Sequence, residues 1–196
     1  MSYINKYKVL TENQIQISNS HMYIRFILFL FLIFLIGCGS KKTDKKQTTA
    51  YEIKSICPVD GSCSFTAWKN KSLLITYYEG NKPSPEIVNG PNIVIQFEYK
   101  RHEVPNASDG HYSEHIYIEF AENETDLELE GKNLQNVKLL FGRFCYCKGQ
   151  NGFYKITNGK LSIKKLKVDN LYELKLQFTT NEAPQIITEI KETFRL

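Results

Sequence analysis

The chain has 196 residues, of which 42% are hydrophobic, with 25 Lys+Arg, 21 Asp+Glu and five cysteines. Its formal charge of +4 belongs to the first 50 positions, because residues 51–196 carry 18 Lys+Arg against 19 Asp+Glu. That near-neutral stretch lacks a basic footprint, which argues against a nucleic-acid partner. It is long enough for one globular unit burying about two thirds of its surface.

The chain opens with a polar segment, followed by Arg25, an unbroken apolar run over residues 26–36, and Gly37. This is the order of a secretory leader. Eleven apolar residues fall well short of the roughly 20 that a helix needs to cross a bilayer. Met22 by itself opens a compact leader, so the natural start is expected there. The alternative is that the first 21 residues are cytoplasmic and leave with the leader. Leu35-Ile36-Gly37-Cys38, followed by Gly39, closes the run and resembles the lipobox of bacterial lipoproteins. The resemblance implies cleavage before Cys38, a diacylglyceryl thioether on its sulfur, and a covalent lipid as the only cofactor. A cysteine is needed because its thiolate is the nucleophile that takes the lipid. With two or three acyl chains, each buried methylene contributing about 0.8 kcal/mol, the bilayer becomes a permanent partner. Gly39 in place of Asp favours the outer membrane, facing the periplasm or the cell surface, under the sorting rule of enteric bacteria.

Residues 38–50 then read as a flexible tether, since Gly39-Ser40-Lys41-Lys42-Thr43-Asp44-Lys45-Lys46 and the residues after it have no apolar face. Its four lysines suit either an anionic headgroup surface or a plain soluble spacer. Leader, tether and a single domain over 51–196 complete the expected organisation.

Within the domain the hydrophobic period is two. Residues 72–78 and 93–99 are rich in branched and aromatic side chains, and Ile93, Ile95, Phe97 and Tyr99 alternate with Gln96, Glu98 and Lys100. Further strands are expected over 111–120, 137–147, 152–157, 160–168, 171–178 and 185–190. Residues 184–195 also fit a short helix. Asn158-Gly159 is the strongest hairpin signal, as both residues accept the positive φ of a type I′ turn. Residues 105–110 close a longer hairpin loop. The expected fold is all-β: an antiparallel sandwich or barrel of about ten strands, stapled by disulfides.

Four cysteines follow Cys38: Cys57 and Cys63, then Cys145 and Cys147. An even count in an exported domain reads as disulfides. On an extended strand Cys145 and Cys147 would stand roughly 6.5 Å apart with parallel side chains, which suits a bridge between them poorly. Two crosslinks from that strand to the Cys57/Cys63 loop are therefore expected, each adding about 4 kcal/mol by closing a long loop. The competing chemistry is a Cys₄ metal centre or a redox pair built from the same residues.

His111 and His115 in His111-Tyr112-Ser113-Glu114-His115 would share a helix face, but residues 116–120 are strand-like, and on a strand the two histidines lie roughly 13 Å apart, too far for one ion. No metal site is assigned. Asp109, His102 and Glu114 are the acids and base that a hairpin would bring near them. Ser113 lacks the strand-turn-helix elbow of a nucleophile, so no catalytic residue is assigned. Residues 109–114 and 141–154 are the most distinctive stretches and resemble segments of Bacteroidota lipoproteins with no assigned activity. Arg143, exposed on its strand, and His111, His115 and Tyr112 are the expected ligand contacts. Tyr77, Tyr78, Tyr112, Tyr117 and Tyr154 are aromatics suited to a glycan or peptide groove. The functional expectation is a membrane-anchored envelope lipoprotein whose non-enzymatic β-domain binds or scaffolds an envelope protein or glycan. A metal-binding, redox or enzymatic protein built on the cysteines or the His111/His115 hairpin is the alternative.

Overall fold

A computed structural model describes residues 54–196, except positions 104, 107–109 and 169 and the side chain of Glu79. The leader, Cys38, the tether and Asp109 lie outside the described residues. Nine strands occur among those described: β1 (Gly61–Tyr78), β2 (Lys82–Arg101), β3 (Tyr112–Ala121), β4 (Asp126–Glu130), β5 (Lys138–Cys145), β6 (Gly152–Lys155), β7 (Asn158–Lys165), β8 (Leu171–Thr179) and β9 (Glu189–Arg195). They form two antiparallel sheets, ordered β1-β2-β3-β5-β6 and β4-β7-β8-β9. The sheets pack as a sandwich and do not close into a barrel.

Alternation builds the core. Ile93, Ile95, Phe97 and Tyr99 of β2, Ile116, Ile118 and Phe120 of β3, and Leu139 and Phe141 of β5 face inward and are buried. Opposite them stand Leu161, Ile163, Leu174, Leu176, Phe178, Ile190 and Phe194. Ring pairs join the sheets: Phe65 to Phe194 at 5.3 Å and Phe141 to Phe178 at 5.8 Å between centroids. Each such side chain contributes roughly 1.5–3 kcal/mol on burial. The C-terminal segment is a strand and not a helix, because Ile190, Glu192 and Phe194 reach inward by turns in register with β8.

Three glutamates are buried, Glu114 and Glu192 among the inward residues and Glu119 on the outward face of β3, and each holds backbone that no strand partner satisfies. Glu114 accepts the amides of Ile186 (2.6 Å) and Ile187 (2.8 Å). Glu192 accepts those of Lys54 and Ser55, both at 3.1 Å, fastening the beginning of the domain to its last strand. Glu119 accepts the amide of Leu73 and the ammonium of Lys138.

That last contact marks a long bent hairpin. The β1/β2 register slips between Lys69 and Ser72, Asn70 takes a left-handed φ of 57°, and a Cβ at Gly90 would strike the side chain of Ser72. Such a bulge redirects both strands. Beyond it, the arm of 71–89 crosses the outer face of the five-stranded sheet. Leu73, only 2% exposed, is pinned there: its carbonyl accepts Lys138 Nζ at 2.8 Å. Val94 and Leu140 face outward by parity, yet both are buried outside the main core. At the tip, Lys82 Nζ donates to the carbonyl of Asn151 at 2.9 Å and lies over the ring of Tyr154.

Two expectations are corrected. The disulfides are local, Cys57 to Cys63 and Cys145 to Cys147, with Cα atoms 5.8 and 5.1 Å apart. Cys145 is the last residue of β5 and the chain bends at Tyr146, which shortens the extended-strand distance and lets the sulfurs meet. On the other side, Gly61 N donates to Pro58 O at 3.2 Å, a turn that folds Cys63 back on Cys57. Asn158-Gly159 is likewise no hairpin turn. The chain passes there from the first sheet to the second, and the two residues begin β7 opposite Thr179 and Phe178. Of the pair Gly159 alone has positive φ, and a Cβ on it would meet the backbone of Gln177 and Phe178. The loop between β2 and β3, by contrast, closes an antiparallel hairpin as expected.

Candidate functional site

The outer face of the five-stranded sheet, between the arm and the β5–β6 loop, holds an open groove of about 810 Å³. Register places its floor. One row across the sheet runs Glu98, His115, Gly142, Phe153, and the next runs Lys100, Ser113, Phe144. Glycine is required in the first row because a Cβ at Gly142 would strike the ring of Phe153. Phe153 lies down in that gap, the cross-strand cover that a sheet glycine receives from an aromatic neighbour. A chain of rings results: Tyr117 to Phe153 at 5.7 Å, Phe153 to Phe144 at 5.2 Å and Phe144 to His115 at 5.3 Å. The steep tilts, 72° and 81° for the last two, are the edge-to-face geometry that quadrupoles favour. Tyr146 stands at the rim, 86% exposed.

His115 Nε2 lies 3.1 Å from Ser113 Oγ and 4.0 Å from Glu98 Oε1. Burial holds the imidazole below the ordinary histidine range, with Glu98 opposing that shift. Burial also raises the Tyr117 phenol. A serine relay needs the base to meet hydroxyl and carboxylate through opposite ring nitrogens. Here both partners share Nε2, and Ser113 is buried, so the three residues do not form that relay. Among the described residues no cluster of three His, Cys, Asp or Glu side chains could hold a metal ion. The four later cysteines are consumed in disulfides and offer no thiolate donors.

The sequence-named residues divide by strand parity. His111 and His115 both line the groove. Tyr112 and Arg143 face the core instead, at 7% and 8% exposure, and the expectation of an exposed Arg143 is corrected. The Tyr112 hydroxyl donates to Glu114 at 2.6 Å, and burial together with that carboxylate pushes the phenol up to about 12. Arg143 Nε donates to the Tyr112 oxygen at 3.3 Å, and its NH1 donates to Gln150 at 2.8 Å. The two residues hold Glu114 in place. Glu114 therefore points away from the histidines, and His102 lies outside the groove lining, its amide bonded to Asp60 O. Of the five tyrosines expected in a groove, only Tyr117 lines this one. Tyr77 lies beneath Lys155, Tyr78 is exposed at the arm tip, and Tyr154 is buried. Phe144, Phe153 and Tyr146 were not singled out, although the alternation of 141–147 contains the signal.

Comparison with known proteins returns no matching family model, no similar curated protein and no similar solved structure.

Proposed function

We propose that this chain is a cell-envelope lipoprotein, acylated on Cys38, that displays a non-enzymatic binding domain on a short lysine-rich tether, with the outer membrane as its site. The observation that carries the binding reading is the groove: four half-buried rings in van der Waals register, on the outer face of a sheet, sheltered by an arm held in position by the buried carboxylate of Glu119 and the exposed Lys138. Pockets of a few hundred to about a thousand Å³ with an apolar floor and a few polar groups are the usual form of ligand sites. The lipobox supports the anchor, and the chain joins the fold beside β9, in the sheet opposite the groove. The partner is an envelope component, protein or glycan. The cysteine and histidine geometries favour neither the metal nor the enzymatic alternative.

The test is metabolic labelling of the full chain in a bacterial host with an alkyne fatty acid. Label on the wild type in the membrane fraction, with an unlabelled, folded, soluble Cys38→Ala protein, is the expected result. A labelled Cys38→Ala variant, or an unlabelled wild type, would remove the anchor from this reading.

A further inference from the structure

Resting on that reading of the groove as a binding site, we infer that its ligand is an uncharged oligosaccharide. The charges at the floor cancel, since Glu98 faces the groove beside Lys100 and the two stand two residues apart on one strand face. His115, also held there, prefers its neutral form at neutral pH because burial disfavours the cation. A polyanion or polycation finds no complementary field, whereas a neutral polar ligand meets ring surfaces and isolated hydrogen-bonding groups. The apolar face of a sugar ring, with its polarised C–H bonds, matches the negative faces of aromatic rings. Its hydroxyls match Glu98, Lys100 and the rim residue Asn151.

The arm argues against a peptide. Pro83 and Pro85 stand two apart on β2, opposite Tyr77 and Ile75. Proline nitrogens cannot donate, so the ladder to β1 runs through Lys82, Ser84 and Glu86, and the proline positions face the arm's outer edge. That edge, where Pro85 lines the groove, lacks donors at two successive outward sites, a device that blocks strand addition. A peptide entering the groove would find no backbone ladder to join, and an acyl chain would stay wet in so open a cleft. Recognition is left to side chains, as rigid polar rings require.

The experiment uses the full lipidated chain, extracted in a polyoxyethylene detergent that carries no sugar headgroup, in native gels containing xylan, mixed-linkage β-glucan, mannan or glycogen. Parallel gels contain alginate as an anionic polymer and unfolded casein as a peptide source. At least one neutral polysaccharide should retard the protein. Retardation should weaken about tenfold, the scale of one aromatic contact, in Tyr146→Ala and in Phe153→Ala. The arm-tip variant Tyr78→Ala should bind like the wild type. Tyr146 is 86% exposed, so its variant keeps the fold if Phe153→Ala does not. Retardation by alginate or casein alone, with Tyr146 required, overturns the uncharged sugar while leaving a binding groove. Retardation indifferent to Tyr146 and Phe153 overturns the site. No retardation in any gel overturns both the ligand class and the binding reading.

Discussion

Glu114 shows how one side chain can be both an error in a strand pattern and a condition of the fold. It occupies an inward position between Tyr112 and Ile116 and is fully buried, where an apolar residue would pack well but leave the amides of Ile186 and Ile187 without an acceptor. Breaking such a buried, charge-assisted set costs about 3–5 kcal/mol. Glu114→Ala should lower the stability by that order, read from the urea midpoint through the fluorescence of Trp68, the one tryptophan. Tyr112 adds a pH signature. Its folded phenol titrates near 12 against an ordinary value of 10.0, so the folded state keeps a proton that the unfolded state has lost. Its contribution is complete below pH 10 and disappears as pH rises toward 12, by about 2 kcal/mol. Tyr112→Phe should flatten that alkaline limb in unfolding measurements between pH 9 and 12. His115 acts at the other end: its folded value lies below 6.5, so the contribution present above 6.5 is lost as pH falls through the folded value. Urea midpoints at pH 7.5 and 5 should diverge less in His115→Phe than in the wild type.

The bent hairpin is the element that makes the site. Its bulge turns 71–89 across the sheet, Leu73 is clamped by Glu119 and Lys138, and Lys82 latches the tip to the β5–β6 loop. The clamp is buried at Leu73 and Glu119 and the latch is exposed, so the two should separate experimentally. Leu73→Ala opens space beneath the arm and should cost about 2–4 kcal/mol globally. Lys82→Met should change global stability by under about 1 kcal/mol yet speed amide hydrogen exchange across residues 74–86, a local opening that mass spectrometry resolves. Equal protection in both proteins would mean that Lys82 does not hold the tip. Little of this arm was legible in the chain. Period two marked the strands and the inward face of β2, but a strand that runs on past a bulge looks like two separate strands, and residues 61–70 carry too few branched side chains to stand out. Asn158-Gly159 misled for a related reason: positive φ was needed at Gly159, for close approach to β8 and not for a turn. Parity was the limit at the site. His111 and His115 both line the groove, whereas Tyr112 and Arg143, expected beside them, face the core. Alternation alone sets Tyr112 on the face opposite its neighbour His111, but the face of Arg143 depends on the β3–β5 register, which no local pattern shows.

For the whole molecule, the local disulfides change where stability comes from. Loops of a few residues remove little entropy from the unfolded chain, so each bridge contributes about 2 kcal/mol, and not the 4 expected of long crosslinks. The sandwich depends on its apolar core and its buried carboxylates. Replacing Cys145 and Cys147 with serine should therefore leave a cooperatively folded domain, destabilised by about 2 kcal/mol in urea, with β-sheet circular dichroism intact. Loss of cooperative unfolding in that variant would show a larger structural role for the bridge.

The attachment of Lys54 and Ser55 to Glu192 has a mechanical meaning. Tension applied to the chain ahead of Lys54 first pulls on three hydrogen bonds to a single carboxylate, which can yield and re-form. The next restraint is covalent, since the Cys57–Cys63 bridge passes the pull into β1 and the broad sheet behind it. A tug from that side would thus peel a two-residue slack from β9 and then load β1 at Cys63, opposite Tyr99 of β2, which lies between the floor residues Glu98 and Lys100.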